Sequence, residues 1–247
     1  GLRRQRQMCI RDRLASRMAH WRELATPLRA QLEDGMAPSP GDEMLLLQTL
    51  LGTWPLGLAV DDAQGLKQFA ERVAQWQQKA LREAKLRSSW NAPNEAYEKG
   101  CARYLEGLLL EADALPLRTS IADAAQLISC PGALNSLVQA FMRMTVPGVP
   151  DLYQGNEYWD FSLVDPDNRR PVDYPARRST LAEGAPLDAL LSHWHDGRVK
   201  QALVARVLDC RMANPELFRR GSYLPLTVKG RHADKIVAFA RLGDTQP

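Results

Sequence analysis

Residues 148–174 read GVPDLYQGNEYWDFSLVDPDNRRPVDY, and the fold class turns on how this stretch is taken. Its opening run, VPDLY, is short, apolar and bounded by Pro147-Gly148 and Gly155, the pattern of a buried strand. From Gly155 to Arg178 the chain reads as a long loop without periodicity, dense in carboxylates and arginines. Its aromatics Tyr158, Trp159, Phe161 and Tyr174 argue against disorder. Upstream, Leu134, Leu137, Val138, Phe141 and Met142 share one helical face, stopped by Pro147-Gly148. A helix leading into a buried strand predicts an αβ unit rather than a bundle.

Working outward, most of the chain reads as helix. Residues 14–32 show helical patterning, and SPGD at 39–42 introduces an apolar helix from Glu43 to Leu51, closed by Gly52, Trp54 and Pro55. Leu66, Phe69, Ala70 and Val73, then Trp76, Ala80, Leu81 and Ala84, give the clearest amphipathic spacing. SSWNAPN breaks that helix, with Asn94 placed to accept from the first-turn amides of the next, which carries Tyr97, Cys101, Tyr104, Leu105 and Leu108. Ser120 and Asp123 resemble a helix start of the capping-box type, and Pro131-Gly132 a stop. Beyond the loop, a helix is expected from Arg198 to Met212 with Val199, Leu203, Val207 and Cys210 inward. After Pro215 the period becomes two: Leu224, Leu226 and Val228 alternate, GRHAD turns, and Ile236 to Leu242 reads as the partner strand.

The composition is that of a globular protein: 247 residues, 45% hydrophobic and 25% charged. A net charge of +3 is too small to imply a nucleic-acid partner. Arg accounts for 25 of the 32 basic residues. That bias suits bidentate pairing with carboxylates and stacking on aromatics, and a GC-rich coding sequence produces it equally well. The four cysteines are widely spaced, without the CxxC or CxxH of a zinc site, so a reducing cytoplasm is expected. The most apolar stretch, Met44 to Val60, is interrupted by Gln48, Thr49, Thr53, Trp54 and Pro55, and no membrane span is expected. Residues 1–13, GLRRQRQMCIRDR, have no apolar periodicity, and MCIRDR looks like translated sequencing adaptor. They read as an unrelated or artefactual leader.

Two strings could carry chemistry. Asp151, Tyr153, Gln154, Glu157, Trp159, Asp160, Asp165, Asp167, Asn168, Arg169, Arg170 and Asp173 crowd the junction of strand and loop, where α/β folds bind ligands. Carboxylates and amides beside aromatic platforms suit the hydroxyls and flat C–H faces of a sugar. The same residues also suit Asp–Arg pairs that only hold a long loop in place, DPDN being a turn former. In REAKLRSSWNAPNEAYE, residues 82–98, Lys85, Arg87, Trp90, Asn94 and Tyr97 converge on one loop, and helix capping explains them as well as binding does. His20, His193, His195 and His232 form no ligand cluster, the HWH string reads as solvated, and no metal or cofactor is expected. GxSxG, P-loop and dinucleotide fingerprints are absent.

These two strings, with LLLQTLLGTWP and PGALNSLVQ, resemble in content and order the maltooligosyl trehalose synthase family of the α-amylase superfamily. The resemblance runs from about Leu14 to the end, and VDPDNRRPVDY is its most specific part; G-x-P-x-x-Y-x-G-x-E marks only the superfamily. It implies a (β/α)8-barrel enzyme that converts the reducing-end α-1,4 bond of a maltooligosaccharide into an α,α-1,1 bond. The reaction is a retaining intramolecular transglycosylation, with an Asp nucleophile and a Glu acid/base about 5 Å apart and a third Asp on the sugar hydroxyls. Those three carboxylates belong to segments that precede Leu14, so no catalytic residue is expected in this chain. Asn156 and Tyr158 depart from the family's usual residues.

The resemblance assigns substrate binding to Tyr153, Gln154, Glu157, Trp159, Asp165, Asn168, Arg169 and Arg170, with Lys85, Trp90 and Asn94 behind them. The expected organisation is a helical insertion over 14–130, the last helix-strand unit of the barrel with its substrate loop over 131–213, and the start of an all-β domain over 214–247. A mostly helical chain follows. The expected partner is a maltooligosaccharide or α-1,4-glucan, with neither nucleic acid nor membrane. Another superfamily hydrolase or glucanotransferase, and a non-enzymatic Arg-rich binding module, are the alternatives.

Overall fold

The computed structural model describes residues 14–243, and the leader over 1–13 lies outside them. The described chain is predominantly helical and forms two compact units: residues 14–129 with 161–170, and residues 130–160 with 171–243.

In the first unit, residues 14–24 form α1. The hairpin β1 (Ala30–Leu32) and β2 (Gly35–Ala37) follows, and then α2 (Pro40–Thr53), α3 (Ala63–Ala84), α4 (Glu95–Leu110) and the beginning of α5 (Leu115–Thr145). Side chains start three of these helices. Ser39 accepts from the Asp42 amide, Asp62 from Gly65 and Asn94 from Tyr97, each satisfying a first-turn N–H that has no partner within its helix. Trp21, Leu46, Leu47, Leu50, Val73, Tyr104, Leu105, Leu108 and Ile121 are fully buried in one core. Each fully buried Leu stabilises the unit by roughly 1.5–3 kcal/mol. Where α4 passes β2, a Cβ on Gly100 would stand 2.7 Å from that of Ala37, so only glycine permits the approach.

The second unit contains the rest of α5, α6 (Tyr174–Glu183), α7 (Leu187–Ser192), α8 (Arg198–Ala213), α9 (Pro215–Arg220) and the antiparallel pair β3 (Ser222–Pro225) and β4 (Phe239–Leu242). Met144, Val204 and Val207 form its small core, with Leu152 and Leu203 against them. The last carbonyls of α5 are capped from afar: Arg211 donates to Met144 O at 2.6 Å and Arg241 to Thr145 O at 3.2 Å.

The structure corrects several readings. The helix expected over 14–32 ends at residue 24, because Pro27 opens the one-turn helix Thr26–Leu28 and the chain then turns into β1. No helix starts at Ser120, whose hydroxyl accepts from Trp21 Nε1 at 2.9 Å in the middle of α5. Pro131 does not stop α5 either. The missing bond and the ring's clash cost about 3 kcal/mol, and buried packing of Leu117 and Ile121 before it and Ala140 and Met144 after it offsets that. The face read as inward there is outward: Leu134, Val138 and Phe141 are 61%, 46% and 43% exposed. VPDLY is not a strand, Val149 is exposed, and no neighbouring strand among the described residues supplies the pairing that a strand needs. The long loop is shorter than read, since Asp173 caps α6. Cys210 is exposed on α8. The C-terminal strand pairing is present, shortened to Tyr223 opposite Arg241 and its neighbours and preceded by α9.

Candidate functional site

The segment 161–170 packs along α3, and Asp167 is its anchor. Asp167 is 7% exposed and accepts from Arg72 twice, at 3.0 and 2.9 Å, and from the Leu163 amide at 2.7 Å. Burial disfavours its charged form, yet the bonds from Arg72 and Leu163 outweigh that and hold its pKa below the ordinary value. Arg72 reaches further, donating to Phe161 O at 3.0 Å, and Arg170 pairs with Asp167 at 2.9 Å. Two turns along the same face of α3, Lys79 holds Asp165 at 3.1 Å, and Arg169 closes on the same carboxylate. Asn168 and the Arg169 head remain exposed at the tip.

One turn beyond Lys79, Arg82 donates twice to Glu98 at 2.8 Å, and Ser88 donates to Glu98 at 2.5 Å. The Arg82 guanidinium lies 4.9 Å from the Trp90 ring, which is 54% exposed. Asn94 is the N-cap of α4, so its carboxamide oxygen is engaged by Tyr97 N at 3.0 Å. Lys85 ends α3 in the left-handed region at φ 56° and is exposed.

In the second unit, Glu157 pairs with Arg177 of α6 at 3.0 Å, and Arg177 also holds Gly155 O at 2.7 Å and stacks over Tyr158 at 4.6 Å. Trp159 donates to Trp194 O at 2.6 Å, and the two indoles meet edge to face. Trp194 is therefore half-buried, while the flanking His193 and His195 are exposed as expected. Lys200 is buried beside Trp159 and donates to Tyr158 O at 3.1 Å; burial lowers its pKa, against the opposing pull of Asp160. Tyr153 and Gln154 are exposed, and Gln154 accepts from Tyr174 at 3.4 Å.

Asp165, Asn168, Arg169 and Arg170 thus come together in the first unit, with Lys85, Trp90 and Asn94 also on it. Tyr153, Gln154, Glu157 and Trp159 belong to the second. Sequence reasoning missed Arg72, Lys79 and Arg177. An Arg or Lys on the polar side of an amphipathic helix looks solvated, and the only signal was the spacing of Arg72 and Lys79 along one face of α3. Among the described residues no group of three or more His, Cys, Asp or Glu is placed to hold a metal, and no helix is long and apolar enough to cross a membrane.

No protein-family model matches the chain. A curated Mycobacterium tuberculosis protein bearing the name maltooligosyl trehalose synthase is 36% identical over 208 residues, 84% of this chain and 24% of that protein. A crystal structure of a maltooligosyl trehalose synthase superposes with a TM-score of 0.75 at 27% identity, covering 92% of this chain and 28% of the other. This chain belongs to the maltooligosyl trehalose synthase family. The maltooligosyltrehalose synthase of Arthrobacter ramosus agrees, with a TM-score of 0.66 at 31% identity over 91% of this chain and 27% of that one. A Sulfolobus tokodaii structure bearing the synthase name gives 0.71 at 26% identity over 94% and 28%. The chain spans about a quarter of the length of the curated relatives it matches. As a maltooligosyl trehalose synthase relative it favours neither of the alternative readings, another superfamily member or an Arg-rich binding module.

Proposed function

We propose that this chain supplies part of the glucan-binding surface of an enzyme that converts the reducing-end α-1,4 bond of a maltooligosaccharide into an α,α-1,1 bond, in trehalose biosynthesis. The observation that carries the reading is the strap 161–170, fixed to α3 by the ion pairs of the buried Asp167 and the half-buried Asp165 and open at Asn168 and Arg169, in a chain alike in sequence and fold to maltooligosyl trehalose synthases. In the first unit, Asp165, Asn168, Arg169 and Arg170 bind sugar hydroxyls, with Lys85, Trp90 and Asn94 as further ligands. Tyr153, Gln154, Glu157 and Trp159 of the second unit are sugar ligands in their own right.

Residues 14–130 are a helical insertion of the (β/α)8-barrel enzyme, 131–213 carry a barrel helix with the substrate loop, and 214–247 begin an all-β domain. The protein works in the cytoplasm. The nucleophile, acid/base and third carboxylate lie outside this chain, so the 247 residues alone are inactive. In the reaction, a glucosyl–enzyme ester forms as the α-1,4 bond breaks. The retained glucose then attacks with its anomeric hydroxyl, so water must be kept out and glucose kept in.

The test is incubation of the complete protein with maltopentaose and separation of the products. A non-reducing isomer of unchanged mass is expected as the main product. Glucose and maltose without any non-reducing sugar would overturn the assignment, and glucan rearrangement by the isolated 247 residues would overturn the inactivity.

A further inference from the structure

Within the first unit, two of the residues read as sugar ligands, Asp165 and Arg169, do not hold their own geometry. Asp165 lies between two cations, Lys79 and Arg169, and the turn that carries it is built on Asp167 rather than on Asp165 itself. Asp167 in turn is fixed by a residue almost a hundred positions earlier: the guanidinium of Arg72 grips both carboxylate oxygens and, with the same Nη2, the carbonyl of Phe161. One planar group therefore pins the start of the strap and its central turn. Only a bidentate donor fits that task, since a single ammonium cannot span two carboxylate oxygens and a carbonyl with the same directionality.

We propose that Arg72 is the positioning residue for glucan recognition by Asp165 and Arg169, acting through Asp167, with Lys79 orienting Asp165 from the same helix face. The proposal rests on the reading of Asp165 and Arg169 as sugar ligands. It makes Arg72 and Lys79 of α3 part of the recognition apparatus through the strap they hold. Arg72 and the Asp167 carboxylate are 22% and 5% exposed, so their contact is shielded from salt, whereas the exposed Arg169 head is free to exchange Asp165 for a hydroxyl. Loss of the grip would leave the turn around Asp165 held by Lys79 and by the packing of Leu163 in the core. A displacement of about 1 Å in a binding group is enough to cost on the order of 100-fold where geometry is strict.

The experiment measures the KM and kcat for maltoheptaose of the complete protein that contains this chain, together with urea unfolding and amide exchange of each variant; the positioning role is read in KM. Arg169→Ala is expected to weaken binding, and Arg72→Met to weaken it on the order of tenfold or more. Arg72→Lys should recover part of the loss. Amides of 163–170 should exchange faster in Arg72→Met while those of α4 stay protected. In the Arg169→Ala background, Arg72→Met should cost less than it does alone, because the Arg169 share of the loss is already gone and only the Asp165 share remains. If Arg72→Met fails to fold, Asp167→Asn answers the same question with the shape retained. Binding of maltoheptaose, read as KM, that Arg169→Ala leaves untouched overturns the sugar-ligand reading and the proposal with it. Binding that Arg169→Ala weakens and both Arg72→Met and Asp167→Asn leave unchanged overturns the positioning role alone. So does a full Arg72→Met loss in the Arg169→Ala background.

Discussion

Arg82 and Glu98 close the SSWNAPN break: two hydrogen bonds of 2.8 Å join the last turn of α3 to the first turn of α4. The bonds from Arg82 act first on the Glu98 carboxyl, and with Ser88 and Gln78 they outweigh burial and hold its pKa to about 2, below the usual 4.5. A depressed folded-state pKa means stability that is fully present above the unfolded value and lost as pH falls towards the folded one. The native chain is therefore expected to melt above Glu98→Gln at pH 6, and the gap to close between pH 4.5 and about 2. Melting curves of both proteins across that range check it; a gap that persists at the acid end refutes it.

Glu43 is 1% exposed and accepts from Arg22 at 2.7 Å, Arg29 at 2.8 Å and Tyr104 at 2.8 Å. Three elements, α1, α2 and α4, meet at this carboxylate. Tyr104→Phe removes one bond and is expected to cost about 1–2 kcal/mol. Arg29→Met leaves Glu43 with Arg22 as its remaining cation and should cost more, about 2–3 kcal/mol. Urea midpoints at constant m-value measure both, and equal losses would show that Glu43 is solvated after all.

Gly197 adopts φ +81° with the Trp159 amide 2.8 Å from where a Cβ would sit. Gly197→Ala is expected to destabilise the second unit by about 1–3 kcal/mol. It should also perturb the near-ultraviolet dichroism of the Trp159–Trp194 pair. An unchanged aromatic signal with unchanged stability would contradict this packing.

Leu134, Val138 and Phe141 lie on one exposed stripe of α5. Leu134→Lys with Val138→Glu is expected to raise the solubility of the chain and abolish concentration-dependent association, with stability changed by no more than about 0.5 kcal/mol per site. Sedimentation across a concentration series reads the outcome; association that survives both changes would place the sticky surface elsewhere.

Helices with a strong one-sided pattern were legible. In α3 the apolar set Leu66, Phe69, Ala70, Val73 and Leu81 is buried as read, and Asn94 caps α4 as read. Local chemistry suffices there, because a capping oxygen and the amide it serves are three residues apart. Readings failed where a distant partner overrode a local signal, as Trp21 does for Ser120 and as packing at both ends does for Pro131.

The candidate site divides in the same way. DPDN announced a turn and a carboxylate-rich loop, and the family resemblance marked it for sugar. Composition could not tell which carboxylate binds and which braces.

By itself the sequence determined the helical character, the cap at Asn94, the late β pairing and the family. Tertiary structure alone decided that Asp167 is an anchor rather than a ligand, that Arg72 and Lys79 serve the strap, and that the loop between Gly148 and Asp173 is shared by two compact units. The physical reason is range. Caps, turns and periodicity act over three or four residues, whereas an ion pair spanning 95 positions leaves no periodic trace and exists only once both chains of contact have been buried together.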